Sequence, residues 1–302
     1  MDWQGGPVSN NVEDRRGGGD SGGGGMISSF GGGGGLGIGA IIILTLIGWA
    51  TGISPQLLIG GAQILTGSGN SGYSQPQQQP AARSANGAPT DQMGRFIASV
   101  LGETEGVWTK ILPEQTKVQY TTPTLVLFSG QTRSGCGTAQ SAMGPFYCPD
   151  DQKVYLDMDF FNEMKAKYGG GGDFAYAYVV AHEVGHHVEN LLGILPKIQQ
   201  MQDQATSKAQ SNALSVKVEL LADCFAGVWA ANANQQYKIL QQGDVESAIA
   251  TAQAIGDDKL QTAARGYAVP DSFTHGSAAQ RTQWLTVGLQ SGQVQSCLPL
   301  LK

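Results

Sequence analysis

Apolar positions are distributed unevenly along the chain, and their spacing divides it into parts. From Leu36 to Ile53 the residues run without a charge, through Leu-Gly-Ile-Gly-Ala-Ile-Ile-Ile-Leu-Thr-Leu-Ile-Gly-Trp-Ala-Thr-Gly-Ile. That length lies at the short end of what crosses a hydrocarbon core of about 30 Å. Trp49 stands near one end, where an amphipathic ring suits the membrane interface. Pro55 and the Gly60-Gly61 pair stop a helix from continuing. The pattern predicts one transmembrane helix over 36–53. A signal peptide would carry only a short basic region ahead of it, whereas 35 residues precede this stretch, so the reading is an uncleaved anchor.

Regular periodicity starts at Asp91. The spacing predicts a helix over 91–108, with Phe96, Val100 and Leu101 on one face. Thr122–Gly130, bounded by Pro and Gly, reads as a strand, and Lys153–Met158 as a second. Helical patterns then fill 173–192, 195–210, 212–235, 244–256 and 277–290. The fold class is α+β, mostly helical with a small β-sheet, preceded by the single transmembrane helix.

Composition sharpens the ends. Sixteen glycines fall between Gly5 and Gly39, and no residue from Ser21 to Ala82 is charged. Residues 1–35 therefore read as a disordered tail, 54–90 as a flexible Gly/Ser/Gln/Pro linker, and 91–302 as the one folded domain. Arg15 and Arg16 precede the span, and the next basic residue after it is Arg83, which puts the tail in the cytoplasm and the domain outside. A net charge of −6 and a pI near 5.2 exclude the basic stripe of a nucleic-acid binder.

The chemistry centres on His182-Glu183-Val184-Gly185-His186, at the end of the apolar run Phe174–Ala181, with Asp173 as its predicted N-cap. Residues i and i+4 lie one turn apart on one helix face, so two imidazoles can converge on one zinc ion. Glu183, rotated about 100°, stands beside that ion as a general base. A third ligand is needed. Glu189 overshoots along the helix, by about 10.5 Å from His182. The longer H-E-x-x-H-x-x-G-x-x-H pattern fails, because Glu189 and Leu192 occupy its Gly and His positions. Glu219 and Asp223, i and i+4 on the apolar helix Val218–Trp229, face the same way. Glu219 is the expected third ligand, and Asp223 the acceptor for the second N–H of a ligating imidazole. His187 lies off the ligand face. Four cysteines allow three pairings. The short loop between Cys136 and Cys148 favours that bridge and leaves Cys224 with Cys297, which suits a domain outside the cytoplasm.

His182-Glu-x-x-His186 followed by Glu219-x-x-x-Asp223 resembles the gluzincin pattern of thermolysin-like peptidases. More closely, the chain resembles a bacterial membrane-anchored family named "putative neutral zinc metallopeptidases". The matching stretches are Asn11–Gly17, Ser134–Gly137, Gly144–Pro149, Val154–Asp157, Ala181–His187 and Ala222–Trp229. The resemblance implies a zincin-like peptidase domain with one Zn2+, an amide side chain in relatives at the place of Glu189, and an oxyanion-stabilising role for His275 with support from Arg281. The expectation is a membrane-anchored zinc peptidase at the bacterial inner membrane, acting on peptides or proteins. Zinc-activated water is the nucleophile, Glu183 is the base, and the strand Thr124–Phe128 could offer an edge to substrate. The alternative is a catalytically silent, membrane-tethered zinc domain that binds a partner protein.

Overall fold

The computed structural model describes residues 1–16, 85–86, 89–161 and 172–302. Its main sheet contains β1 (Val12–Asp14), β2 (Ala85–Asn86), β3 (Thr124–Phe128), β6 (Phe146–Cys148) and β7 (Lys153–Asp157), in the order β2-β1-β3-β7-β6. A separate hairpin joins β4 (Gln131–Ser134) to β5 (Gly137–Gln140). β3 lies parallel to β1 and β7, which explains its unbroken apolar run: both faces are covered. Leu125, Leu127, Val154 and Leu156 enter the main core. Their alternates Val126, Phe128 and Tyr155 form a second cluster with Cys148 and Ala139 of the hairpin. The Cys136–Cys148 disulfide ties the hairpin turn to β6. With neighbours on both sides, β3 offers no edge to substrate, contrary to the sequence expectation; β6 is the outer strand beside β7.

The N-terminal residues also depart from the expected disordered tail. Residues 1–14 belong to the same unit as 85–302. The Trp3 ring meets Phe96 edge-on at 5.5 Å, the Ser9 N–H donates to the Ala98 carbonyl at 2.9 Å, and Val12 is buried opposite Leu125. The folded domain therefore does not begin at 91. Ala85–Asn86, inside the expected linker, is a strand as well. The predicted transmembrane helix is withdrawn from the fold: among the described residues no helix is long and apolar enough to cross a membrane, and 36–53 itself lies outside them. Pairing supplies a topological reason against the single crossing. Asp14 is the partner of both Ala85 and Leu127, so a chain crossing once between Asp14 and Ala85 would set bonded strands on opposite sides of a membrane.

The helices are α1 (Gln92–Thr116), α2 (Asp173–Leu191), α3 (Ile194–Asp203), α4 (Lys208–Tyr237), α5 (Asp244–Ala254), α6 (Asp257–Arg265) and α7 (Ala278–Ser291). α1 outruns its predicted end because Val107, Trp108, Ile111 and Leu112 continue the buried stripe. Gly172 occupies the N-cap position of α2, and Asp173 is instead its first helical residue, accepting from the Trp3 indole N–H at 3.1 Å. α4 is one helix from its Ser207 cap and does not break near 210. Two glycine contacts set how α2 and α7 lie on α4. A Cβ on Gly185 would stand 3.0 Å from the Ala222 carbonyl oxygen, and one on Gly288 would stand 1.9 Å from that of Cys224. Each contact brings backbone close to backbone, which positions the side chains described below.

The N-terminal segment covers a buried acid on α1. Glu103 is fully buried and neither carboxylate oxygen has a hydrogen-bond partner among the described residues, with Gly6 directly above. Burial, reinforced by Asp2, pushes its pKa up to about 8. The folded state therefore holds a proton that the unfolded chain releases near its ordinary value of 4.5. Stability contributed by the protonated form is fully present below pH 4.5 and is lost as pH rises to about 8. Glu103→Met is expected to flatten this fall and to add roughly 1–3 kcal/mol above pH 8. Urea unfolding of both chains from pH 5 to 9 checks it; parallel pH profiles would show that Glu103 does not carry the effect.

Candidate metal centre

α2 carries His182 and His186 one turn apart, and α4 crosses it where Gly185 meets Ala222. The crossing brings Glu219 to both rings: Oε2 lies 3.3 Å from His182 Nε2, and Oε1 lies 3.8 Å from His186 Nε2. One ligand atom from each of the three residues lies within 4.8 Å of the others. Tetrahedral ligands at 2.0–2.1 Å from a zinc ion stand about 3.3 Å apart, so two imidazoles and a carboxylate gathered this closely are a donor set that suits zinc. Glu183, predicted beside the ligands, is buried on the same turn. Burial raises its pKa, while His182 and His186 pull it back.

Each ligand ring is held from behind. His182 Nδ1 lies 2.9 Å from Asp223 Oδ1, where the i and i+4 spacing of Glu219 and Asp223 placed it. Asp223 is fully buried and saturated: Arg281 donates to it through Nε at 2.8 Å and Nη2 at 2.9 Å, and the Tyr178 hydroxyl donates at 2.6 Å. Burial raises the Asp223 carboxyl, but Arg281 and His182 outweigh it and hold the pKa down to about 2. Burial also lowers the His182 imidazolium, yet Asp223 and Glu219 together drive its pKa up to about 10. Burial pushes Glu219 up, but the charges of His275, His186 and His182 and a hydrogen bond from His182 outweigh it and shift it down. The pocket between the rings therefore favours positive charge.

Arg281 is buried, with its guanidinium bonded to Asp223 and Tyr178, so it stands behind the His182 ring through Asp223. Contact between α4 and α7 at Gly288 makes this possible, and a linear reading of the chain does not show it. His275, by contrast, is about half exposed, on the loop between α6 and α7. Gly276, at φ +91°, brings this loop against Val216 and Leu220 on either side of Glu219. Asp257, absent from the sequence reading, fixes it: its Oδ2 accepts the backbone N–H groups of Thr274 at 2.7 Å, His275 at 2.6 Å and Gly276 at 3.1 Å. Its Oδ1 lies 3.4 Å from His275 Nδ1. An acid at the first turn of a helix reads as ordinary dipole matching, so its sequence position does not reveal the loop it holds. His187 packs as expected off the ligand face, with Nε2 2.6 Å from the Thr121 carbonyl and Nδ1 3.0 Å from the Tyr147 hydroxyl.

Glu189, too far along the helix from His182 to share a metal with it, lies three residues after His186. Its Oε2 is 2.9 Å from His186 Nδ1. Burial pushes its pKa up to about 7, against the pull of His186. The second bridge, Cys224–Cys297, fastens α4 one residue past Asp223 to the C-terminal segment, so both disulfides pair as the spacing favoured.

No solved structure matches the chain. An uncharacterized protein of Escherichia coli strain K12, YpfJ, is 46% identical over 297 residues, covering 98% of each chain. An uncharacterized protein of Mycobacterium tuberculosis strain H37Rv, Rv2575, is 45% identical over 203 residues, covering 64% of this chain and 66% of its own. The model of a family described as "Putative neutral zinc metallopeptidase" matches residues 1–299, a span that includes β1 at one end and the Cys297 bridge at the other. The chain belongs to that family, and its His182–His186–Glu219 cluster is a donor set that could hold a metal ion.

Proposed function

We propose that the protein is a zinc-dependent peptidase that holds one ion through His182, His186 and Glu219 and hydrolyses peptide bonds. The observation that carries this reading is the gathering of three ligand atoms within 4.8 Å on two crossing helices, with Glu183 on the adjoining helix position. Zinc bound there supplies a Lewis acid that makes water nucleophilic near neutral pH and polarises a carbonyl. Glu183 accepts the proton of the attacking water and returns it to the leaving amine, a role suited to a buried carboxylate whose pKa is raised. His275 stands at the exposed side of the site with Nδ1 turned to Asp257. Burial lowers its pKa, but Glu219 and Asp257 outweigh that and raise it, so the imidazolium keeps an Nε2–H to donate to the developing oxyanion. Asp223 with Arg281 holds the His182 ring so that Nε2 faces Glu219. The two disulfides support an oxidising compartment for the domain, with residues 1–14 on the same side as the rest of the sheet.

The test uses the full chain. We expect one zinc per chain and cleavage of a denatured-protein or mixed-peptide substrate that is lost on treatment with a chelator and regained on adding zinc. Zinc at full occupancy with every peptide left intact would favour a non-enzymatic binding domain instead.

A further inference from the structure

The two ligand imidazoles are backed by carboxylates in very different settings. Asp223 behind His182 accepts four hydrogen bonds, two of them from the Arg281 guanidinium. Glu189 behind His186 is fully buried, makes its hydrogen bond to the His186 ring through Oε2, and leaves Oε1 buried without a hydrogen-bond partner among the described residues. A buried acceptor left half-satisfied costs stability, and it is not explained by packing, since an apolar side chain would fill the same space without that cost. Its spacing explains it. Three residues on from His186 along α2, Glu189 reaches back over one turn to the ring nitrogen that faces away from Glu219.

We propose that Glu189 is a positioning residue for the metal centre: it accepts the Nδ1–H of His186, and so fixes the tautomer and ring plane that turn the Nε2 lone pair toward the ion. The inference rests on the zinc-site reading above but not on peptide cleavage. Without the acceptor, His186 is free to carry its proton on Nε2 and to rotate about χ2, and each change removes a ligand from the site for part of the time. Glu189 touches neither the ion nor the substrate in this role, and it works through His186 alone. His182 keeps its own anchor throughout.

The experiment measures zinc affinity of the full-length protein by competition with a chromogenic chelator, and the visible spectrum of the cobalt-substituted form, for wild type, Glu189→Leu, Glu189→Ala and Glu189→Gln. The apolar variants are expected to bind zinc roughly 10–100-fold more weakly and to show a weakened, shifted cobalt spectrum. Glu189→Gln, whose amide oxygen can accept the same bond, is expected to recover most of the affinity and the wild-type spectrum. Either apolar variant, folded and binding zinc within about twofold of wild type, would overturn the proposal; so would a Gln variant as weak as Leu, or the failure of all three to fold, which would make Glu189 structural. A wild type that holds zinc tightly and cuts no peptide would end the peptidase reading and leave this inference standing, whereas a wild type that takes up no zinc would end both.

Discussion

Glu183→Gln is expected to retain zinc and lose peptide hydrolysis by a factor of roughly 10²–10⁴. The two parts of that result have separate causes. In the proposed site the ion is held by His182, His186 and Glu219, and the two imidazole rings are backed by Asp223 and Glu189; none of these contacts passes through Glu183. Gln has nearly the volume of Glu, so the buried turn of α2 is not disturbed. What the amide cannot do is take a proton. Glu183 is well suited to that task because burial raises its pKa above the ordinary carboxylate range while the two neighbouring rings stop it rising too far. Zinc content by elemental analysis and turnover of one defined peptide would be measured on the same preparations. A variant that keeps its zinc and cleaves at the wild-type rate removes Glu183 from the mechanism.

Arg281→Met carries the largest expected loss of stability, about 3–5 kcal/mol. The change leaves Asp223 fully buried with only the His182 ring and the Tyr178 hydroxyl to answer its charge. Taking the charge away as well should restore part of the loss, so Arg281→Met with Asp223→Asn is expected to be more stable than Arg281→Met alone. The double variant should still bind zinc more weakly than wild type, because a neutral amide oxygen without Arg281 behind it holds the His182 Nδ1–H less strongly than the charged carboxylate does. Denaturant unfolding of the zinc-free chains gives the first quantity and chelator competition the second. Equal stability of the single and double variants would show that Arg281 acts by packing its side chain and not by neutralising Asp223.

These results would also separate what is local from what is assembled. The His182–His186 pair, the Glu183 base between them and the Glu219–Asp223 pair were legible because each depends on spacing along one helix, which the 3.6-residue turn dictates. The β3 and β7 strands were legible for the same kind of reason: an apolar run bounded by Pro and Gly has few other uses. The partners of Arg281 and Asp257 were not legible because they lie 58 and 18 residues away, and no period connects them. Glu189 was judged against His182 when its partner was His186, three residues off.

The N-terminal end shows the sharpest division. Val12-Glu-Asp14 is a three-residue strand with one buried apolar side chain, beside a glycine-rich stretch, and nothing in its own composition marks it as part of a core. It becomes a strand because β3 presents an unpaired edge more than a hundred residues later, and the hydrogen bonds of a parallel pair are supplied by the neighbour and not by the segment itself. The sequence alone determined the helix that bears His182 and His186, the acid pair Glu219 and Asp223 and the bridges favoured by cysteine spacing. Tertiary structure decided which acid stands behind which ring, what Arg281 neutralises, and where the domain begins, since each is a contact between elements whose approach is set by backbone packing at positions such as Gly185 and Gly288.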